Sequence, residues 1–474
     1  MTLMILTALT IPLITIAQPI ADSTITPPIE IKKGGPTPKV GDIWVSPNGN
    51  DANSGTKESP LLSLQLAIDK AKPDVTIWMT EGVHKFTETV IIQRSLDGTS
   101  SKPYRICGIP GGSRPILDFT GVNHSSEIRG IQLDADYWHL RYLEIFGAAD
   151  NGLNVNGSYN TLELLALHDN GDTGLQINST NSLTPSYNIV LNCDSYMNAD
   201  NSAEDADGFA AKLIIGPGNS FEGCRAWYNC DDNWDFYDAQ SIVTLKGCWS
   251  IAAKHPTKSK TNSDGNGFKL GGIRAITSSW NKRGNFSSYE EYLVANTTPH
   301  VLEYCFAFGN PSRGFHRNNN PSTEITCTNC GAWNNKGGDF GDGIQKAGEV
   351  FSYPTITPAI AIAAKRDSIG NLPDIRTLIP EIHTDALIYT AQDAILTVNK
   401  INDSYLIRFS TNLTTSSLPE LLIFSIDGKL VSYCKYFENE FVWKPENNLR
   451  GGQYLIVLKL SDRSSILTKK VFLQ

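Results

Sequence analysis

"NIVLNCDSYMN" (188–198) has three counterparts further along the chain: "NSFEGCRAWYN" (219–229), "HVLEYCFAFGN" (300–310) and "EITCTNCGAWNN" (324–335). Each carries a cysteine followed five positions later by an asparagine: Cys193/Asn198, Cys224/Asn229, Cys305/Asn310 and Cys330/Asn335. "NTLELLALHDN" (160–170) keeps the frame with Leu165 and Asn170, and "IVTLKGCWSIAA" (242–253) keeps Cys248 but loses the asparagine. The cysteines recur at intervals of 31, 24, 57 and 25 residues. A period of roughly 20–30 residues marks a solenoid.

Between these blocks lies a second recurring piece: "NGLNV" (151–155), "TGLQI" (173–177), "DGFAAKL" (207–213), "NGFKL" (266–270) and "RGFHR" (313–317). Each is short and strand-like and begins near a glycine that permits a turn or bulge. Sustained helical periodicity is absent between about 40 and 340. Short strands at this interval describe an all-β fold, a right-handed parallel β-helix, since a propeller repeats nearer 40–45 residues. In such a coil a small buried thiol stacks on the next, and asparagines at one turn form a hydrogen-bonded ladder. The cysteines, including the CxxC pair Cys327 and Cys330, are therefore read as core. The 57-residue interval implies an inserted loop over about 271–299, and solenoid insertions gather on the binding face.

The chain has 474 residues, a formal net charge of -9 and 19% charged residues, which suits a large folded core and argues against nucleic acid as the main partner. Residues 1–17 form an apolar run long enough for a signal peptide and short for a membrane span, so export to the medium or cell surface is expected, with no stable membrane span. The β-helix is assigned to 40–385. From 390 to 474, "LLIFSIDGKLV" (421–431), "LRGGQYLIVLK" (449–459) and "KKVFLQ" (469–474) read as strands of a small β-sandwich.

"DDNWDFY" (231–237) sets three aspartates among bulky aromatics. Asp207 lies one coil earlier and Lys269 one coil later, with adjacent strands about 4.8 Å apart. Asp207, Asp231, Asp232 and Asp235 are thus expected on one wall, with Lys269 roughly 5–10 Å further along and pointing outward. Phe209, Phe236, Phe268 and Phe315 are expected to stack in the core beneath. Converging carboxylates repel one another unless a cation sits among them, and hard oxygen ligands suit Ca²⁺. The alternatives are aspartates that merely cap local N–H groups, or a carboxylate pair serving a polygalacturonase-type glycoside hydrolase. A lysine beside calcium points instead to β-elimination, in which a base removes a proton alpha to a metal-bound carboxylate. A non-catalytic adhesin would need none of these groups.

"VSPNGNDANSGTKESPLLSLQLAIDKAKPDVTIWMTEGVH" (45–84) looks like the N-terminal cap of secreted carbohydrate-active β-helices. "DADGFAAKL", "GCRAWYNCDDNWDFYDA", "GNGFKLGG" and "AFGNPSRGFHRNN" resemble polysaccharide lyase family nine, the pectate and rhamnogalacturonan lyases, over about 43–385. The resemblance implies calcium on Asp207, Asp231, Asp232 and Asp235, and Lys269 as the catalytic base. It also implies an acidic plant cell-wall polysaccharide, pectin or pectate, as partner, with rhamnogalacturonan the alternative backbone; the protein is expected to be a monomer. Arg274, Arg313, His316 and Arg317, close to the motif coils, are candidates for substrate carboxylates. Between "GGDFGDG" and "PAIAIAAKR" the chain is shorter than that family's pattern. The terminal module resembles the sorting domain of type IX secretion, with secretion machinery as its implied partner.

Overall fold

The computed structural model describes residues 35–379 apart from 123–127, 180–182, 259–262 and 273–286, and beyond them the strands between 394 and 473. The expected leader 1–17, Arg274 and the 273–286 part of the expected inserted loop lie outside the described residues. The chain falls into two compact units that part between Ile379 and Pro380.

The first unit is a parallel β-helix. Each coil contributes one short strand to each of three sheets. The first sheet has eleven strands, from Ile43–Val45 to Gln345–Ala347; the second has nine, from Gly82–Lys85 to Gly331–Trp333; the third has eight, from Val90–Ile92 to Phe315–His316. Neighbours are parallel and in register, as in Leu153↔Leu175, Leu175↔Phe209 and Phe209↔Trp234. Two helices that lack sequence periodicity, Leu64–Lys70 and Tyr289–Ala295, are only seven residues each, too short for a period to register. In the second unit, strands Ala394–Ile401, Ser404–Thr411 and Glu440–Trp443 form one antiparallel sheet. Strands Leu430–Cys434, Glu420–Ser425, Gly452–Lys459 and Ile466–Leu473 form another, in that order.

The recurring cysteines, Cys193, Cys224, Cys248, Cys305 and Cys330, sit at the corner between the first and second sheets. The residue before each has positive φ: Asn192 (53°), Gly223 (60°), Gly247 (62°), Tyr304 (52°) and Asn329 (51°). That left-handed residue turns the chain and aims the next side chain inward. Cys193, Cys224, Cys248, Cys305 and Cys330 are accordingly buried, and the Cys193, Cys224 and Cys248 thiols donate at 3.3–3.4 Å to carbonyls of the preceding coil, those of Leu162, Val190 and Phe221. The thiols are core, and they also tie coil to coil.

At the next corner the amide ladder forms as expected. Asn170 Nδ2 donates to Asn198 Oδ1 at 2.9 Å, Asn198 Nδ2 to Asn229 Oδ1 at 2.8 Å, and Asn310 Nδ2 to Asn335 Oδ1 at 2.8 Å. The recurring glycines face this ladder. A Cβ at Gly208 would lie 2.6 Å from Asn229 Nδ2, and one at Gly267 2.8 Å from Asn310 Nδ2. The Cys248 coil has Ala253 at the ladder position, its N–H donating to Asn310 Oδ1 at 2.9 Å like the asparagines' own. Asn233, which stands where other coils have glycine, fills the gap. Its Oδ1 accepts from Asn229 Nδ2 at 3.0 Å, and its Nδ2 donates to Ser250 Oγ at 2.9 Å and reaches Asn310 Oδ1 at 3.5 Å.

The aromatic stack beneath the third sheet runs Phe209, Trp234, Phe268, Phe315 and Phe340, with centroids 4.7–5.1 Å apart. Trp234 occupies the place expected for Phe236, because Phe209 pairs with Trp234 in register. Phe236 is buried one step on, against Phe221 and His300.

Replacing Asn233 by glycine restores the glycine row but takes from the buried Asn229 amide its acceptor in Asn233 and from Ser250 Oγ its donor. Asn233→Gly should cost about 1–3 kcal/mol in urea unfolding. Adding Ala253→Asn should recover most of that loss; no recovery in the double variant would disprove the bridging role.

Candidate active site

"DDNWD" is dense because alternate residues serve different masters. Asn233 joins the ladder, Trp234 enters the core, and Asp231, Asp232 and Asp235 are left for the outer face. Asp207 lies on the preceding coil, where its Oδ1 accepts from the Asp232 N–H at 3.2 Å. Oxygens of Asp207, Asp231 and Asp232 come within 4.8 Å of one another, and all three residues are buried. Asp235 lies outside this tight group. Its Oδ1 accepts from the Tyr237 N–H at 3.0 Å, and its two oxygens face two lysines.

Lys269 leaves the core side of its strand as expected, since Phe268 points inward, but it is not solvated. Only 8% exposed, its Nζ lies 3.0 Å from Asp232 Oδ2, 3.0 Å from Asp264 Oδ2 and 3.7 Å from Asp235 Oδ1. The expected 5–10 Å separation is thus too long: the stem folds back across one strand spacing to the carboxylates. Asp232 Oδ1 accepts from the Asn266 N–H at 2.6 Å and from its Nδ2 at 3.0 Å. Asp232 Oδ2 is buried and accepts no hydrogen bond despite the nearby ammonium.

Burial, reinforced by the mutual repulsion of Asp207, Asp231 and Asp232, pushes the Asp231 carboxyl up to about 10. Burial likewise raises Asp207, and raises Asp232 to about 6 even though Lys269 pulls it down. For Lys269, burial works against the ammonium, but Asp232, Asp235, Asp207 and Asp231 outweigh it and hold the proton on.

The group opens on a cleft of about 590 Å³ lined by Asp172, Gln176, Lys212, Asp231, Asp235, Tyr237, Asp264 and Lys269, among others. A second cleft of about 630 Å³, lined by Trp249, Tyr304, Phe306 and Tyr353, contains none of the residues singled out in the sequence. His316 pairs in register with Lys269, and its Nδ1 is buried without a partner. Arg313 and Arg317 are half-buried on the same coil and do not line the cleft. Lys212, Asp264 and Asn266 were not singled out in the sequence. Lys212 stands in the quoted "DGFAAKL", just past the strand end, where alternation no longer says which way it points.

The fit of a hard cation rests on the donor set: three buried carboxylates, Asp207, Asp231 and Asp232, whose oxygens converge within 4.8 Å of one another. In the metal-free protein Asp207 and Asp231 titrate above their ordinary range, so the folded chain binds more protons than the unfolded one between about pH 4 and about 10. Stability without calcium should therefore fall as pH rises through that window, and the melting-temperature gain from calcium should be larger at about pH 9 than at about pH 5. Scanning calorimetry with and without chelator measures both, and a calcium effect that shrank with rising pH would contradict the site.

Residues 43–348 match the family described as "Pel9A-like, right handed beta helix region". Pectate lyase L of Paenibacillus polymyxa is 37% identical over 313 residues, covering 63% of this chain and 64% of that protein. Pectate lyase L of Thermoclostridium stercorarium is 36% identical over 315 residues, covering 63% of this chain and 23% of that protein. The chain thus spans less than two thirds of either relative. Among solved structures, pectate lyase Pel9A superposes with a TM-score of 0.56 at 28% identity, covering 70% of this chain and 87% of that one. A rhamnogalacturonan lyase gives the same TM-score at 20% identity, which speaks to the fold alone.

Proposed function

The chain belongs to the Pel9A-like right-handed β-helix family, and on that premise we propose that it is a calcium-dependent polysaccharide lyase that cleaves pectate by β-elimination. The observation that carries this reading is the contact of Lys269 with a buried carboxylate cluster, at 3.0 Å from Asp232, on the wall of an open cleft. The pectate lyases among its relatives supply the substrate class.

Asp207, Asp231 and Asp232 would hold the calcium, with Asp235 as a fourth ligand. A calcium ion there would offset the carboxylate field around Lys269 and share the charge that develops on a uronate carboxylate as its C5 proton leaves. The chain's own part is to hold Lys269 in place. Asp264 and Asp235 fix its Nζ at the cleft wall, and in neutral form that nitrogen accepts the C5 proton. The C5–H electrons become the C4–C5 double bond, and the C4–oxygen bond to the next sugar breaks. A product with an unsaturated uronide end absorbs in the ultraviolet, whereas a hydrolase leaves none. Residues 1–17 and the C-terminal strands fit an exported enzyme, the latter as a sorting module.

Lys269→Ala should lower kcat by about 10²–10⁴-fold on pectate with calcium present. Lys269→Arg should do nearly as badly, since a guanidinium is not deprotonated. Chelation should abolish formation of the ultraviolet-absorbing product and calcium should restore it. Running pectate and rhamnogalacturonan side by side identifies the backbone. Retention of more than about a tenth of kcat in Lys269→Ala would refute the base assignment.

A further inference from the structure

Lys212 has no part in the reaction described above, yet it lies at its centre. It follows the strand Phe209–Ala211, and its Nζ donates to Asp207 Oδ2 at 3.0 Å and Asp235 Oδ2 at 3.4 Å. Two of its three ammonium donors are thereby used, and the side chain keeps 17% exposure toward the cleft. The cleft wall around it is acidic, formed by Asp172, Glu204, Asp205, Asp231 and Asp264. Among the described lining residues the cations are Lys212 and Lys269.

A base must be neutral when it accepts its proton, so Lys269 carries no charge as the substrate reacts. A polyuronate brings one negative charge per sugar into this acidic wall. An anion entering a partly buried, like-charged cleft needs a cationic partner of its own. Lys212 is the lining residue that remains charged. Its strand precedes that of Lys269 by two rungs, but both side chains reach the Asp235 carboxylate between them, Lys212 Nζ at 3.4 Å from Oδ2 and Lys269 Nζ at 3.7 Å from Oδ1, so the two ammoniums are neighbours on the cleft wall, which assigns Lys212 to a sugar adjoining the reacting one.

Building on the pectate reading, we propose that Lys212 is a substrate-binding residue whose ammonium takes the carboxylate of the uronate next to the one that reacts.

At saturating calcium, Lys212→Gln should raise KM for polygalacturonate about tenfold or more, with kcat within about threefold of the parent. In a Lys269→Ala background, where turnover is blocked, calorimetric binding of trigalacturonate should weaken by a similar factor. Lys212→Arg keeps the charge and should stay within about threefold of the parent in both measurements. Lys212→Met, which retains the apolar stem, replaces the glutamine variant if that one does not fold. An unchanged KM, an arginine variant as poor as the glutamine one, or recovery on adding more calcium would each overturn the proposal, the last by making Lys212 a metal-site residue. A parent protein that neither binds nor cleaves polygalacturonate would instead sink the pectate reading on which it rests.

Discussion

In-register stacking governs everything else in this solenoid. Coils repeat about 4.8 Å apart, so each side chain meets its own counterpart above and below. For most residue types that like-on-like contact is favourable. Aromatic rings stack, thiols donate to the carbonyls of the preceding coil, and amides both give and accept hydrogen bonds, so a ladder of them satisfies itself. Carboxylates are the exception: stacked, they repel. Asp207 beneath Asp232 is therefore a position at which the register that stabilises the rest of the fold works against it. Only a site with a use for concentrated negative charge would retain it.

A buried ion cluster on the far side of the solenoid shows the contrasting, structural use of charge. Asp194 on the second sheet accepts from Arg225 at 3.1 Å and from Arg366 at 2.7 Å. Arg225 also donates to the carbonyls of Ala361, Ile362 and Ala364, closing the end of helix Pro358–Ile362, while Arg366 donates to those of Gly223 and Gly370. These bonds fix the segment around 358–370 to the solenoid. Every donor and acceptor finds a partner, and the two arginines hold Asp194 well below the usual carboxylate range despite its burial. The carboxylates at Asp207 and Asp231 are raised instead, because burial and the neighbouring carboxylates outweigh the pull of Lys212 on Asp207 and of Lys269 on both. Comparable burial thus has opposite results, decided by whether cations outnumber carboxylates, as two arginines do around Asp194, or are outnumbered by them, as Lys212 and Lys269 are.

The repeat was legible in the sequence because stacking copies one environment from coil to coil. Cysteine after the left-handed corner, asparagine five residues on and glycine facing it recur for the same steric reasons each time. What departs from the copy was not legible. Asn233 resembles one more polar residue among aspartates, and its role depends on an absence twenty residues later, at Ala253. Phe236 was placed one slot from its true position because strand alternation alone does not fix which residue of "DDNWDFY" starts the count. The wall of Asp207, Asp231, Asp232 and Lys269 could be read, since spacing and alternation bring those residues together. Lys212 and Asp264 could not, as one follows a strand end and the other sits in a long connection.

That long connection begins where the ladder is interrupted. Between the second-sheet strand Trp249–Ile251 and the third-sheet strand Phe268–Lys269, Asp264 reaches the Lys269 ammonium at 3.0 Å. A corner of this length leaves its ladder position to an alanine, and Asn233 closes the gap from the neighbouring coil. The amides stay paired across this corner, so the enclosure around Lys269 and the ladder that holds the coils together are built from separate side chains.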